Sequence, residues 1–347
     1  MIKKTILVLS GIVTVLIIIF FIYINSGVLL PQGTDEVIDE ILQSGHRELV
    51  KGKTGRAKSG ETEIWYECIN TTDKPKATVL LIMGIGSTAL LWPEYFIWPI
   101  ANSGYQVVRF DNRGLGMSDW MENWDEDNPY TLEDMAKDGI AVLDDLGVEK
   151  AHIIGASMGG MIAQHMAINH PERILSLTSV MSSGYIEDPD LPGIPKQFQK
   201  NFFKLVLRYG ILKTERNTIK LSLGAHQLIK GDAGHTIDIK GIAETVLYEL
   251  RRRRGYNPET VKQHLAATSA SSSRYDKLGE INVPALVIHG KSDPLVPFAH
   301  AEKYAPMIPN ADTLWIEGMG HELHRKFLPE IFDGIFRVFK LGEADSD

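Results

Sequence analysis

With one cysteine, Cys68, the 347-residue chain can form no internal disulfide, so its thiol content says nothing about a redox compartment. Positive charge is also in short supply: 36 lysines and arginines face 44 aspartates and glutamates, a net charge of −8. That argues against nucleic acid as the main partner, because phosphate recognition needs concentrated Lys and Arg. The one dense basic run, Arg251 to Arg254, reads as a solvated helix face. No internal repeat is visible. No Gly-Lys-Ser/Thr follows the glycines around position 84, which leaves a phosphate loop without its lysine. "HELH" spaces its histidines three apart, where the zinc motif needs four. Neither a metal nor a cofactor is expected.

What the chain does have begins at its N-terminus. Lys3 and Lys4 precede an apolar run from Ile6 to Ile24, interrupted mildly by Ser10, Gly11 and Thr14. At about 1.5 Å per residue such a run reaches roughly 30 Å, enough to cross a bilayer. The expectation is a membrane anchor over residues 1–26, with the remainder outside the cytoplasmic membrane because Lys3 and Lys4 favour a cytoplasmic N-terminus. A cleaved signal peptide, giving a secreted protein, is the competing reading, with Ser26-Gly27 as its faint cleavage site.

Residues 27–59 read as a linker and entry segment. Thr34-Asp35-Glu36 could cap a short helix through Leu42, and "KGKTGRAKSGE" (51–61) looks like loop or hairpin. Beyond it, short apolar runs alternate with helical patterns. "EIWYECI" (63–69), "TVLLIM" (78–83), "QVVRF" (106–110), "AHIIG" (151–155), "ILSLTSVM" (174–181), "ALVIHG" (285–290) and "TLWIEG" (313–318) read as strands. Helical patterns cover 93–103, 131–147, 158–169 and 327–340, and Thr131 with Asp134 forms a variant capping box. Alternation predicts an α/β fold with a mostly parallel central sheet flanked by helices. Residues 184–275 break the rhythm with helix-like stretches (195–209, 240–254) and a polar turn cluster, "ATSASSSR" (267–274). They read as a helical cap inserted between two core parts, 60–183 and 276–342, with 343–347 as a tail; a plain run of surface helices is the alternative.

The chemistry centres on "GASMGG" (155–160), a G-x-S-x-G stretch between a buried-type strand and a helix. In that context a sharp turn exposes the serine hydroxyl, and glycines let strand and helix approach. Serine needs a base to take its proton, and the base needs a carboxylate. "IHGKSDPLVP" supplies Asp293 after one strand, and "IEGMGHELH" supplies His321 after the next, so the order is Ser157, Asp293, His321. His324 is the backup base. An oxyanion needs two donors: Met158 N–H follows the nucleophile, and Ile85 N–H in "GIGS" (84–87) is the expected second. Asp111 and Arg113 in "FDNRGLGMSD" read as braces behind the site.

Taken together, "MGIGS", "FDNRGLGMSD", "GASMGG", "HGKSDPLVP" and "GMGHELH" resemble the α/β-hydrolase superfamily, over roughly residues 60–182 and 276–340. "LIMGIG" and the stretch from Leu90 to Asp119 look most like its aclacinomycin methylesterase-type carboxylesterases. The resemblance implies a serine esterase with Ser157, Asp293 and His321 as its triad, a small-molecule carboxylic ester as substrate, and no cofactor. The family commonly has His-Gly where this chain has Met83-Gly84, and the branch is usually soluble, so the N-terminal run is a departure. Cofactor-free haloperoxidases and C–C bond hydrolases look similar and share the triad. A tethered, catalytically silent binding protein is the reading from outside enzymology.

Overall fold

The computed structural model describes residues 23–45 and 47–344. The apolar run from Ile6 to Ile24, and with it the anchor or signal reading, lies almost wholly outside the described residues. Among those residues no helix is long and apolar enough to cross a membrane.

Eight strands form one sheet in the order β1-β2-β4-β3-β5-β6-β7-β8. They are β1 (Lys53–Ser59), β2 (Thr62–Ile69), β3 (Thr78–Ile82), β4 (Gln106–Phe110), β5 (Ala151–Ala156), β6 (Ile174–Val180), β7 (Ala285–Gly290) and β8 (Asp312–Ile316). The first two pair antiparallel with each other, and β2 runs antiparallel to β4; every later neighbour is parallel. β1 carries residues 53–59 into the sheet as the first arm of a hairpin, the second of the two forms, loop or hairpin, read for this part of the entry segment.

Parallel neighbours require crossovers, and these cover both faces. The helices are α1 (Thr34–Ser44), α2 (Glu94–Asn102), α3 (Leu132–Asp145), α4 (Met158–Asn169), α5 (Lys196–Leu205), α6 (Glu215–Ile229), α7 (Ile239–Arg252), α8 (Thr260–Ala270), α9 (Tyr275–Leu278), α10 (Ala299–Tyr304) and α11 (Leu328–Ala344). Strand pleating sends Leu80 and Ile82 to one face, where Met135, Met161 and Ile162 of α3 and α4 meet them. It sends Val79 and Leu81 to the other, where Phe96, Ile97, Ile335 and Phe339 of α2 and α11 close the layer. This two-sided burial is why β3, β5, β6 and β7 have no polar face in the sequence.

The predicted capping box forms at α3: Thr131 accepts from the Asp134 amide, and the Asp134 carboxylate accepts from the Thr131 amide. At α1 the cap differs from expectation. Gly33, in the left-handed region at φ 80°, precedes the helix, and Thr34 is its first residue, its hydroxyl donating to the Pro31 carbonyl at 2.6 Å. Between β6 and β7 stand α5 to α9. Here α8 runs to Ala270, into the polar "ATSASSSR", because one of its faces buries Gln263, His264, Ala267 and Thr268 against the core. A separate apolar cluster unites α1 with this insert: Ile38 and Ile41 pack with Ile219, Leu223, Val246 and Leu247.

Candidate active site

Ser157 stands between β5 and α4 with φ 57° and ψ −124°, a conformation that costs a residue with a Cβ energy and that surrounding structure has to enforce. Glycine provides the enforcement. A Cβ on Gly155 would come 2.1 Å from the Gly159 carbonyl oxygen, and one on Gly159 would come 2.1 Å from that of Ile82. The strand and helix are therefore closer than side chains would permit, and the turn at Ser157 is forced. Ser157 N–H donates to Val180 O at 2.9 Å, and the Ser182 hydroxyl donates to Ser157 O at 2.8 Å.

Asp293 and His321 meet. The loops after β7 and β8 bring them together, and His321 Nδ1–H donates to Asp293 Oδ2 at 2.7 Å. The other carboxylate oxygen accepts the amides of Leu295 at 2.8 Å and Val296 at 2.9 Å. Burial alone would raise this carboxyl, but the adjacent His321 and the hydrogen bonds outweigh it and hold Asp293 below its ordinary range. The Asp293 contact fixes the tautomer of His321 and leaves Nε2 as the free base. His324, the backup base, stacks on His235 with ring centroids 4.0 Å apart and caps the turn at Arg325; it does not touch Asp293.

Ser157, Asp293 and His321 share the C-terminal edge of the sheet, following β5, β7 and β8. Ala156 beside the serine and Met319 and Leu323 beside the histidine belong to one apolar cluster. Among the described residues neither the Ser157 hydroxyl nor His321 Nε2 is hydrogen-bonded, and such contacts commonly tighten only with substrate.

The loop after β3 passes directly over the serine: a Cβ on Gly84 would lie 2.9 Å from Ser157 Cβ. Ile85 follows Gly84 in this loop. Met158 is the first residue of α4, at the positive end of the helix dipole beside the serine turn. The brace reading of Asp111 and Arg113 matches the geometry. Asp111 accepts the Ala89 amide at 2.9 Å and the Met117 amide at 2.8 Å and pairs with Arg253. Arg113 forks onto buried Asp138 at 2.7 and 2.6 Å.

No sequence pattern points to His264. This fully buried α8 histidine donates through Nε2–H to Arg113 O at 2.9 Å and accepts Gly86 N–H on Nδ1 at 3.2 Å. Burial pulls it down to about 4, so it stays neutral and can play both roles. It thereby fixes the loop that carries Ile85. Asn112 adds a second tie, donating to Met83 O at 2.9 Å.

The model of the alpha/beta hydrolase fold family matches residues 77–325. Rhodomycin D methylesterase DauP of Streptomyces sp. (strain C5) is 31% identical over 284 residues, covering 76% of this chain and 90% of its own. The 2-hydroxy-6-oxo-6-phenylhexa-2,4-dienoate hydrolase of Comamonas testosteroni is 29% identical, covering 79% and 92%. Among solved structures, a bacterial membrane phospholipase A superposes with a TM-score of 0.61 at 19% identity, covering 99% of each chain, a likeness of fold. The chain belongs to the α/β-hydrolase family and resembles its methylesterases.

Proposed function

We propose that this esterase-type hydrolase cleaves carboxylic esters with Ser157 as nucleophile, His321 as general base and Asp293 as the group that orients and stabilises the imidazolium. His321 Nε2 takes the Ser157 proton as the hydroxyl oxygen attacks the ester carbonyl. The amides of Met158 and Ile85 hold the oxyanion. Collapse expels the alcohol, which receives the proton from His321. Water then attacks the acyl-enzyme, its proton passing to the same nitrogen, and the acid leaves. The observation that carries this reading is the 2.7 Å Asp293–His321 hydrogen bond at the same sheet edge as the strained Ser157. A fluorophosphonate probe should label the wild-type protein at Ser157 and leave Ser157→Ala unlabelled. A folded wild type that resists labelling, or labels elsewhere, refutes it.

The Comamonas relative favours a second reading, hydrolysis of a carbon–carbon bond beside a ketone by the same residues. Side-by-side turnover of short acyl esters and of a dienoate substrate separates the two. For location, we read residues 1–26 as an anchor that leaves the catalytic domain outside the cytoplasm, which resistance to alkaline carbonate extraction supports and complete extraction refutes.

A further inference from the structure

The cap carries a surface unlike the rest of the molecule. Ile194, Phe202, Phe203, Val206, Ile211 and Leu212 are all exposed, from 36% for Val206 to 68% for Leu212, within one stretch of the chain. Five basic residues, Lys196, Lys200, Lys204, Arg208 and Lys213, lie between Asp190 and Glu215 with no acidic residue among them. The first four recur every fourth residue, so they form one stripe along α5 and its continuation. In a chain with a net charge of −8 this is a local reversal.

Nor are these charges neutralised. Elsewhere on the cap, basic groups pair: Arg216 and Lys220 with Asp35, Lys240 with Glu40, Arg251 with Glu215. Among the described residues none of the five meets a carboxylate. Lys204 instead donates to the Ser26 hydroxyl at 2.9 Å and lies 4.7 Å from the centre of the Tyr23 ring. The end of the N-terminal apolar run is therefore held against α5.

We propose that the α5 face, from Ile194 to Lys213, docks on the surface of an anionic phospholipid bilayer. Exposed aromatic and aliphatic side chains beside a lysine stripe are the composition of a helix that lies in the headgroup region. A second copy of the chain fits poorly, because a two-fold interface would set the same five positive charges against themselves. The proposal builds on the anchor reading of residues 1–26, since both place lipid at the same end of the cap.

The test uses the full chain in lipid nanodiscs. A polarity-sensitive fluorophore is attached at Phe203→Cys or, as control, at Leu341→Cys, which is exposed on α11. Wild type, whose Cys68 is buried, sets the background. Headgroup-proximal doxyl lipids should quench the label at position 203 in phosphatidylglycerol discs, weakly in phosphatidylcholine discs, and not at position 341. Lys196→Gln and Lys200→Gln should each lower the docked-to-undocked ratio roughly fivefold. They should slow turnover of an ester presented in anionic vesicles while leaving a short soluble ester unaffected. An unquenched label at position 203, equal quenching at position 341, or label-to-label energy transfer between copies that persists in detergent overturns the proposal. Carbonate extraction reports on the anchor alone, so the two readings fail separately.

Discussion

Replacing Asp293 by asparagine puts the catalytic reading under its sharpest strain, because shape is kept and only the hydrogen-bond polarity changes. In the wild type one carboxylate oxygen takes two amides, at 2.8 and 2.9 Å, and the other takes His321 Nδ1–H at 2.7 Å. Asparagine has a single acceptor oxygen. The two amides of Leu295 and Val296 hold it, which turns the NH2 group toward His321. The imidazole must then accept on Nδ1 and carry its proton on Nε2, where it cannot receive the Ser157 proton. The expected loss in kcat is roughly 10⁴-fold, the size attached to a wrong-tautomer histidine in serine proteases, or about 5.5 kcal/mol of transition-state stabilisation. Turnover of a chromogenic short-chain ester measures it, with circular dichroism to verify that the fold persists. A folded Asp293→Asn enzyme within about tenfold of wild type would show that this histidine does not act as the base, and the mechanism would fall with it.

Two further outcomes follow from the same packing. Gly159→Ala places a methyl group 2.1 Å from the Ile82 carbonyl oxygen, so β3 or α4 must shift; a destabilisation of about 1–3 kcal/mol with loss of ester turnover is expected, and an alanine variant with wild-type melting temperature and activity would contradict the close approach. Acid should destabilise the protein. Burial holds His152 and His165 at about 3 and His264 at about 4. The unfolded chain binds those protons below about 6.5, so the stabilising term is complete above that pH and fades as pH falls toward 4. Denaturant titrations at pH 7.5 and pH 5 should differ by about 2 kcal/mol from His264 alone, shrinking in His264→Leu; equal stability at the two values would refute it.

The core was legible because its chemistry is local. Parallel strands covered on both faces write themselves as unbroken apolar runs, and "TVLLIM" and "ALVIHG" fall on β3 and β7. The sharp turn at Ser157 was legible for the same reason: Gly155 and Gly159 are needed within two residues of it. Asp293 and His321 could be picked out because each follows a strand whose end the pattern marks. Polar contacts across long separations left no such trace. His264 reaches Gly86 across 178 residues, and nothing in "KQHLAA" distinguishes it from any other helix histidine. Helix α8 itself was missed, because a polar helix face buried by the core reads as a turn cluster.

These long-range contacts bear on how substrate enters. The cap grips three of the loops around the candidate site: His264 accepts from Gly86 at 3.2 Å, Arg253 pairs with Asp111, and Ile229 O accepts the His321 amide at 2.7 Å. Gly231 also bridges to Met319, two residues before His321. A cap that swung away as one body would break all of these at once, releasing the Gly84–Ser87 loop and His321 together. The segment from Leu191 to Lys213 makes none of them among the described residues. Displacing that segment alone would leave the ties to Gly86, Asp111 and His321 intact.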